Sequence, residues 1–357
     1  MNSALAATIG LILSIILIIK KVSPVYSLIL GALTGGLLAG WGLENTVTEM
    51  ISGIKDITPA IIRILAAGVL TGMLVKTGAA SSISQAIIKK LGAKQIYLAL
   101  ALSAMLLTAI GVFIDVAVIT IAPIALIAGS QLRLSRAKLL IAMIGGGKCG
   151  NIISPNPNSI IAAENFNAPL PSVMAANIIP AIIGLLFTIY IIVPLLPKGT
   201  ILQPTEQIED NMRLPSLRSS VIAPIVTIVL LTLRPLFGII IDPLVALSAG
   251  GIIGIVATRN WHKTNDCLSY GLGKMSTIAI LLIGTGALAG VIKASTIKDI
   301  LINLLAGWSN GGTIMAPLSG TLMCAATAST TAGATIASAS FAQSILGAGV
   351  AAVWGAA

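Results

Sequence analysis

Charged residues make up only 9% of this 357-residue chain, against about a quarter in an ordinary soluble domain, so a soluble domain is excluded. Apolar residues reach 56%, and runs of about 20, the length that crosses a bilayer, recur along the chain. Aromatic residues are also few, at 4%, which argues against a large apolar ligand. We therefore predict an all-α polytopic membrane protein that handles a small polar solute.

Other absences exclude further classes of protein. The three scattered cysteines indicate neither a disulfide framework nor a zinc site, and the single histidine, His262, stands in a basic loop. The sequence has no phosphate-binding loop, no Gly-x-Ser-x-Gly elbow and no metal-ligand spacing, so we predict no enzyme activity and no cofactor. The net charge of +10 does not predict nucleic-acid binding, because the basic residues cluster in loops expected on the cytoplasmic side. The predicted location is the inner membrane of a bacterium.

One polar stretch interrupts the apolar pattern. Residues 145–159 read GGGKCGNIISPNPNS, where an unbroken membrane helix would be expected. Pro155 and Pro157 donate no backbone hydrogen bond and disfavour helix at the residue before them. We predict a helix over 139–144, a break over this stretch and a second helix over 159–164. A broken membrane helix usually lines the binding site of a polar solute.

Two long apolar blocks predict re-entrant hairpins. Residues 96–129 have basic residues at both ends, which places both ends in the cytoplasm and Asp115 near the tip. Two short spans are the alternative for this block. Residues 312–347 form the second block, and its centre is rich in hydroxyl groups.

Weak internal similarity predicts two repeats. Ser23-Pro24 and Asp242-Pro243 each open a span with two glycines at equal spacing, and similar pairs recur at offsets of about 215 to 219 residues. The charge count has the halves entering the membrane from opposite sides, which makes the repeat inverted. The predicted domains are a first repeat (1–197), a cytoplasmic linker (198–218) and a second repeat (219–357). Because the chain ends where the second broken helix would begin, we expect the second repeat to be truncated.

Three ionisable residues fall inside predicted membrane segments, where a charge is costly and needs a reason. Asp115 is the candidate proton carrier, or else a structural partner of a lysine or a helix N-terminus. Lys148 is expected to attract an anionic substrate, to pair with Asp115 or to extend to the cytoplasmic interface. Arg63 lies near the start of its span and is expected to extend outward to the membrane surface.

Uncharged polar residues complete the predicted substrate site. They are Asn151, Ser154, Asn156 and Asn158 in the broken helix, and Thr327, Ser329, Thr330 and Thr331 in the second hairpin. Amides and hydroxyls, with the free N–H groups of half-helix N-termini, suit a carboxylate or a polyol. The alternative is that the serines and threonines only join helices.

Four stretches carry a resemblance to a known family: residues 111–123, the loop Ser154–Asn158, residues 282–293 and residues 318–333. They resemble the gluconate permease (GntP-type) family of the ion transporter superfamily. The resemblance implies proton-coupled uptake of sugar acids, two inverted repeats with paired hairpins, and an acidic position matched by Asp115. Better-known members carry a Pro/His/Gly-rich motif where this chain has SPNPN, so their substrates are not transferred.

The leading hypothesis is thus a symporter of a small organic anion. The expected partners are this anion, H⁺ with Na⁺ as the alternative, and the lipid bilayer, with a second copy of the chain as an open option. An ion antiporter with Asp115 binding Na⁺ or H⁺ is the runner-up, and a passive channel or structural membrane subunit is the alternative from another class.

Overall fold

The computed structural model describes residues 2–197, 199–201, 214–296, 311–327 and 330–357. Across these ranges the chain forms helices and connecting turns and contains no β-strand. The prediction of an all-α protein is confirmed.

Eleven helices are described in the first 197 residues: α1 (Ser3–Ile19), α2 (Pro24–Leu38), α3 (Gly42–Lys76), α4 (Ala79–Leu91), α5 (Ile96–Ala109), α6 (Ile114–Gln131), α7 (Arg136–Ile152), α8 (Pro157–Asn165), α9 (Leu170–Ala176), α10 (Ile178–Phe187) and α11 (Val193–Leu195). A π-helical turn, Thr188–Ile192, joins α10 to α11. In the rest of the described chain the helices are α12 (Leu217–Ser220), α13 (Ile222–Phe237), α14 (Pro243–Ala257), α15 (Thr264–Ala294), α16 (Gly311–Thr327), α17 (Thr330–Gly347) and α18 (Ala352–Ala356).

Several of these helices can cross a bilayer. Within the described ranges, four helical stretches are long and apolar enough: Gly42–Lys76, Ile114–Gln131, Leu170–Leu195 and Trp261–Ala294. In addition, α4 and Ala93–Ala109 meet at an angle of 107° and form a bent apolar pair. The polytopic character predicted from composition is therefore present in the fold.

Two compact units divide the chain, and each takes segments from both predicted repeats. Unit 1 consists of Met1–Ile64, Pro157–Val173 and Ser276–Ala357, and unit 2 consists of Leu65–Asn156 and Met174–Met275. The core of unit 1 includes Leu28, Met50, Leu288 and Ile336 from four different helices. The predicted domain boundaries at residues 197 and 219 remain a prediction, and most of the linker, including Lys198 and residues 202–213, lies outside the described residues.

Glycines let α3 and α15 approach closely within each unit. In unit 1, a Cβ on Gly53 would lie 2.6 Å from the Cα of Gly290, and in unit 2 a Cβ on Gly68 would lie 2.8 Å from the carbonyl oxygen of Gly271. Ordinary contact begins at 3.4 Å, so no larger residue fits without moving the helices. This is the small-residue packing expected of membrane helices.

The helix break starts later than predicted, because the glycines before it belong to a helix. We expected the break to begin at Gly145, but α7 continues to Ile152 and only residues 153–156 leave the helix. Gly146 and Gly150 face the backbone of α5 at Ala101 and Met105, respectively. These glycines allow α7 to pack closely against α5 and do not interrupt the helix. The second helix begins at Pro157, two residues earlier than predicted.

Two other boundaries differ from expectation. From the sequence alone we expect Glu44 and Glu49 to lie in a loop and the third span to start near Thr58. In the structure α3 is continuous from Gly42, so both glutamates lie on a helix. From the sequence alone we expect Lys274 to lie in a cytoplasmic loop with Arg259, His262 and Lys263. In the structure it lies within α15, which begins at Thr264. The local polar composition favoured loops in both segments, whereas each is the polar end of a long helix that is apolar elsewhere.

Candidate functional site

The helix break between α7 and α8 is held together by its own polar side chains. The Asn156 amide donates to the carbonyl of Asn151 and, at 2.6 Å, to the hydroxyl of Ser154. Ser154 Oγ donates to the carbonyl of Asn151 at 2.9 Å. Ser154 and Asn156 are buried, so these bonds satisfy groups that the interrupted helix would otherwise leave without partners.

Lys148 and Asn158 stand on either side of this break. Lys148 lies in α7 in unit 2 and is exposed, and Asn158 is the second residue of α8 in unit 1 and is half-buried. Pro157 occupies the first position of α8, where its missing N–H removes no helical bond. None of the described contacts tests the substrate-binding role predicted for Lys148 and Asn158, so that role stays a prediction.

The first apolar block forms two helices joined by a tight tip, which fits both the predicted re-entrant hairpin and its alternative of two short spans. Residues 110–113 join α5 to α6, and Gly111 adopts a φ of +106°, a region that favours glycine. The buried hydroxyl of Thr71 on α3 donates to the carbonyl of Gly111 at 2.9 Å, which fixes the tip in unit 2. Asp115 lies in the first turn of α6, next to this tip, as predicted.

Asp115 pairs with a lysine that the sequence did not single out. Lys274 Nζ on α15 lies 3.4 Å from Asp115 Oδ2, and the two side chains are 37% and 59% exposed. Tyr270, one helical turn before Lys274, carries Lys76 over its ring at 4.9 Å and Lys274 at 6.0 Å from the ring centroid. Two lysines, one tyrosine and one carboxylate thus form a cluster in unit 2, which we call the Asp115 cluster.

The hydroxyl group cluster of the second hairpin is described only in part. Thr330 is exposed and Thr331 is half-buried at the start of α17. Ser329 lies outside the described residues, and the described part of Thr327 is limited to its place at the end of α16. The predicted pairing of this hairpin tip with the Ser154–Asn158 loop remains a prediction.

Unit 1 contains a polar cavity that was not predicted from the sequence. It has a volume of about 310 Å³ and is lined by segments of α3, α15 and α17 and by the end of α8. Its polar lining residues are Asp56, Glu164, Asn165, Asn167, Lys293, Ser338, Ser340 and Gln343. These residues are up to 287 positions apart in sequence (Asp56 to Gln343), so no local pattern could have brought them together.

Contacts between charged and polar side chains shape this cavity. Lys293 Nζ lies 2.7 Å from Asp56 Oδ2, and Asn165 Nδ2 donates to Ser338 Oγ at 2.9 Å. Glu164 pairs with Arg63, and each of these two side chains is about a quarter exposed. The guanidinium of Arg63 bonds to Glu164 at the end of α8, and the expected extension of Arg63 to the membrane surface stays a prediction.

Comparisons with known proteins agree on the class of protein. The sequence profile of the GntP family permeases matches residues 3–248, and that of the Na⁺-H⁺ antiporter family matches residues 219–308. An uncharacterized transporter of Haemophilus influenzae is 51% identical over 356 residues, which are 99% of this chain and 85% of that protein. The high-affinity gluconate transporter of Escherichia coli is 25% identical over 236 residues, 62% of this chain and 51% of that protein.

The fold has a counterpart among solved structures. The crystal structure of the YdaH transporter of Alcanivorax borkumensis is similar with a TM-score of 0.58 and 14% identity, covering 87% of this chain and 75% of that one. The family profile spans more than half of the chain, and the Haemophilus influenzae relative is similar over nearly all of it. The chain is therefore a multi-pass membrane transporter and not an enzyme, and it belongs to the GntP family of permeases.

Proposed function

We propose that this protein is a proton-coupled symporter that takes up a small hydroxylated carboxylate, of the gluconate type, across the inner membrane of a bacterium. The observation that carries the proposal is the interruption between α7 and α8, because an irregular backbone at membrane depth is tolerated where it lines a cavity for a polar solute. The similarity to a gluconate transporter supports the choice of substrate class.

The proposed substrate site uses the polar groups of the break and of the second hairpin. Asn151, Ser154, Asn156 and Asn158 offer amides and a hydroxyl, Lys148 offers a positive charge, and Thr327, Ser329, Thr330 and Thr331 offer further hydroxyls. A carboxylate near the start of α8 would gain from the helix dipole. The bonds of Asn156 and Ser154 would in this proposal keep the break open for the substrate.

The proposed coupling group is Asp115. Its contact with Lys274 gives a physical route for coupling, since a proton bound to the carboxylate neutralises it and weakens its hold on the lysine. The released ammonium would then be free to balance the charge of an incoming carboxylate. Proton and anion would thus bind together, which is the requirement for symport.

Uptake of labelled gluconate into proteoliposomes containing the full chain tests this function. We expect accumulation above equilibrium when an inward proton gradient is imposed, and loss of accumulation when a protonophore is added. Equilibration without accumulation would favour a channel. Na⁺ efflux driven by a pH gradient without any organic anion would favour the antiporter alternative. We include this measurement because the profile of the Na⁺-H⁺ antiporter family matches residues 219–308.

The role of Asp115 is tested by Asp115→Asn. This variant should lose gradient-driven accumulation but retain exchange of labelled for unlabelled gluconate, because exchange needs no net proton movement. Glu44→Gln is the matched control, since Glu44 is an exposed carboxylate in the first turn of α3. Undiminished accumulation by Asp115→Asn would remove this residue from coupling.

A further inference from the structure

We propose that the polar cavity of unit 1, which we call the access site, binds the substrate's carboxylate and hydroxyl groups. This inference rests on the proposed function, and it gives a binding role to residues outside the predicted substrate site. The cavity, of about 310 Å³, lies at the lower end of the size range of small-molecule sites.

Charge is the first argument for the ligand class. Lys293 is the ammonium group among the lining residues, whereas Asp56 and Glu164 contribute carboxylates, and Glu164 is paired with Arg63. The contact between Lys293 and Asp56 is open to solvent, with side chains 63% and 52% exposed. An exposed pair of this kind is weak, because water and salt screen it. An incoming carboxylate can therefore replace Asp56 as the partner of Lys293 at small cost.

Fixed polar groups are the second argument. Ser338 is buried, accepts a hydrogen bond from Asn165 and donates to the carbonyl of Ala334 at 2.7 Å, so its position on α17 is set by two neighbours. Gln343 lies on the same helix and contributes an exposed amide to the lining. Amides and hydroxyls near a cation match a ligand that carries a carboxylate and hydroxyl groups.

The closed packing beneath the cavity keeps these groups in place. Gly53 and Gly290 line it where α3 and α15 meet, and a Cβ on Gly290 would lie 3.0 Å from the backbone nitrogen of Gly53. Phe166 packs with Ala342 and Ile345 at the adjoining end of α17. A preformed site of this kind costs little ordering when the ligand binds.

Initial rates of gluconate uptake in proteoliposomes test the proposal through two variants with opposite effects. Lys293→Gln should raise KM about tenfold, the effect of losing one charge-assisted hydrogen bond, and leave the saturating rate near that of the wild type. Asp56→Asn should lower KM, because it removes the group that competes with substrate for Lys293. Lys293→Arg should keep KM close to the wild-type value.

Lys55→Gln is the matched control, because Lys55 is exposed on α3 next to Asp56 and does not line the cavity. If Lys293→Gln and Asp56→Asn both raise KM, the pair is only structural and the access site is refuted. The same holds if Lys293→Gln behaves like Lys55→Gln while the wild type accumulates gluconate, and the proposed function then stands alone. No uptake by the wild type would overturn the proposed function and, with it, this inference.

Discussion

Replacing Gly146 with alanine should destabilise the protein through the contact between α5 and α7. A methyl carbon at this position would lie 2.6 Å from the Cα of Ala101, and its carbonyl oxygen would be closer still. The carbonyl oxygen of Ala101 would lie 2.0 Å from the added carbon, and ordinary contact begins at 3.4 Å, so relieving this contact would require a shift of about 1.4 Å. The obstacle is backbone on a neighbouring helix, so no change of side-chain rotamer can relieve it.

The magnitude follows from two opposing effects. Overpacking of this kind costs about 1 to 3 kcal/mol, and the backbone clash favours the upper end of that range. Alanine in a helix is more stable than glycine by about 1 kcal/mol, which offsets part of the cost. The net loss in the free energy of unfolding should be about 2 kcal/mol, enough to lower the apparent melting temperature in detergent by several degrees.

Gly320→Ala provides the matched control. Gly320 lies within α16, and a Cβ there would meet no atom of the described residues within 4 Å. That variant should keep the helix-propensity gain of up to about 1 kcal/mol, so the two substitutions should move the melting temperature in opposite directions. Thermal unfolding followed by size-exclusion chromatography measures both. Equal melting temperatures for Gly146→Ala and Gly320→Ala would refute the packing role of Gly146.

Three further variants test the charged and polar contacts. Lys274→Gln should impair gradient-driven uptake as Asp115→Asn does, whereas its effect on melting temperature should be small, because an exposed pair contributes less than about 1 kcal/mol. Glu164→Gln should destabilise the protein by leaving Arg63 without its carboxylate. In a double-mutant cycle, adding Arg63→Gln should recover part of the lost stability, and additive losses of stability would contradict the coupling. Asn156→Ala should cost about 1 to 3 kcal/mol of stability, measured by thermal unfolding, because the groups it bonds are buried; an unchanged melting temperature would count against this account of the break.

Elements defined by local composition could be predicted from the sequence. The apolar blocks around Asp115 and around Thr330 each contain two helices, since apolar runs bounded by glycine or polar residues define their own ends. The break before Pro157 was likewise predictable, because proline removes a backbone donor at a known position. These features depend on neighbouring residues in the chain, which the sequence contains in full.

Features that depend on distant partners could not be predicted. The glycines before the break were assigned to the break itself, but their role in packing is visible only when α5 lies beside them. The pairs Asp56–Lys293 and Arg63–Glu164 join residues 237 and 101 positions apart, and a single sequence carries no signal for such pairs. Lys274 was assigned to a loop because one charge in an apolar run resembles a boundary, whereas its partner Asp115 explains its place in a helix.

The glycine contacts of α3 and α15 support the proposal that residues 1–197 and 219–357 are inverted copies. Gly53, Gly68 and Gly72 recur as Gly271, Gly286 and Gly290, each 218 positions later. In unit 1, Gly53 meets Gly286 and Gly290, and in unit 2 Gly271 meets Gly68. The same contact thus occurs in each unit with the two halves exchanged, as duplicated segments would produce.

The same offset identifies where the two copies would have diverged. Asp56 corresponds to Lys274, so the position that carries the acid of an ion pair in unit 1 carries the base in unit 2. In unit 1 that acid bonds to Lys293 on α15, whereas in unit 2 the lysine bonds to Asp115, which the first hairpin supplies. A change from an acidic to a basic side chain at this one position would therefore have connected the packed helices of unit 2 to the hairpin tip. A proton at Asp115 can act on that connection, which is why we expect Asp115→Asn to separate gradient-driven uptake from exchange.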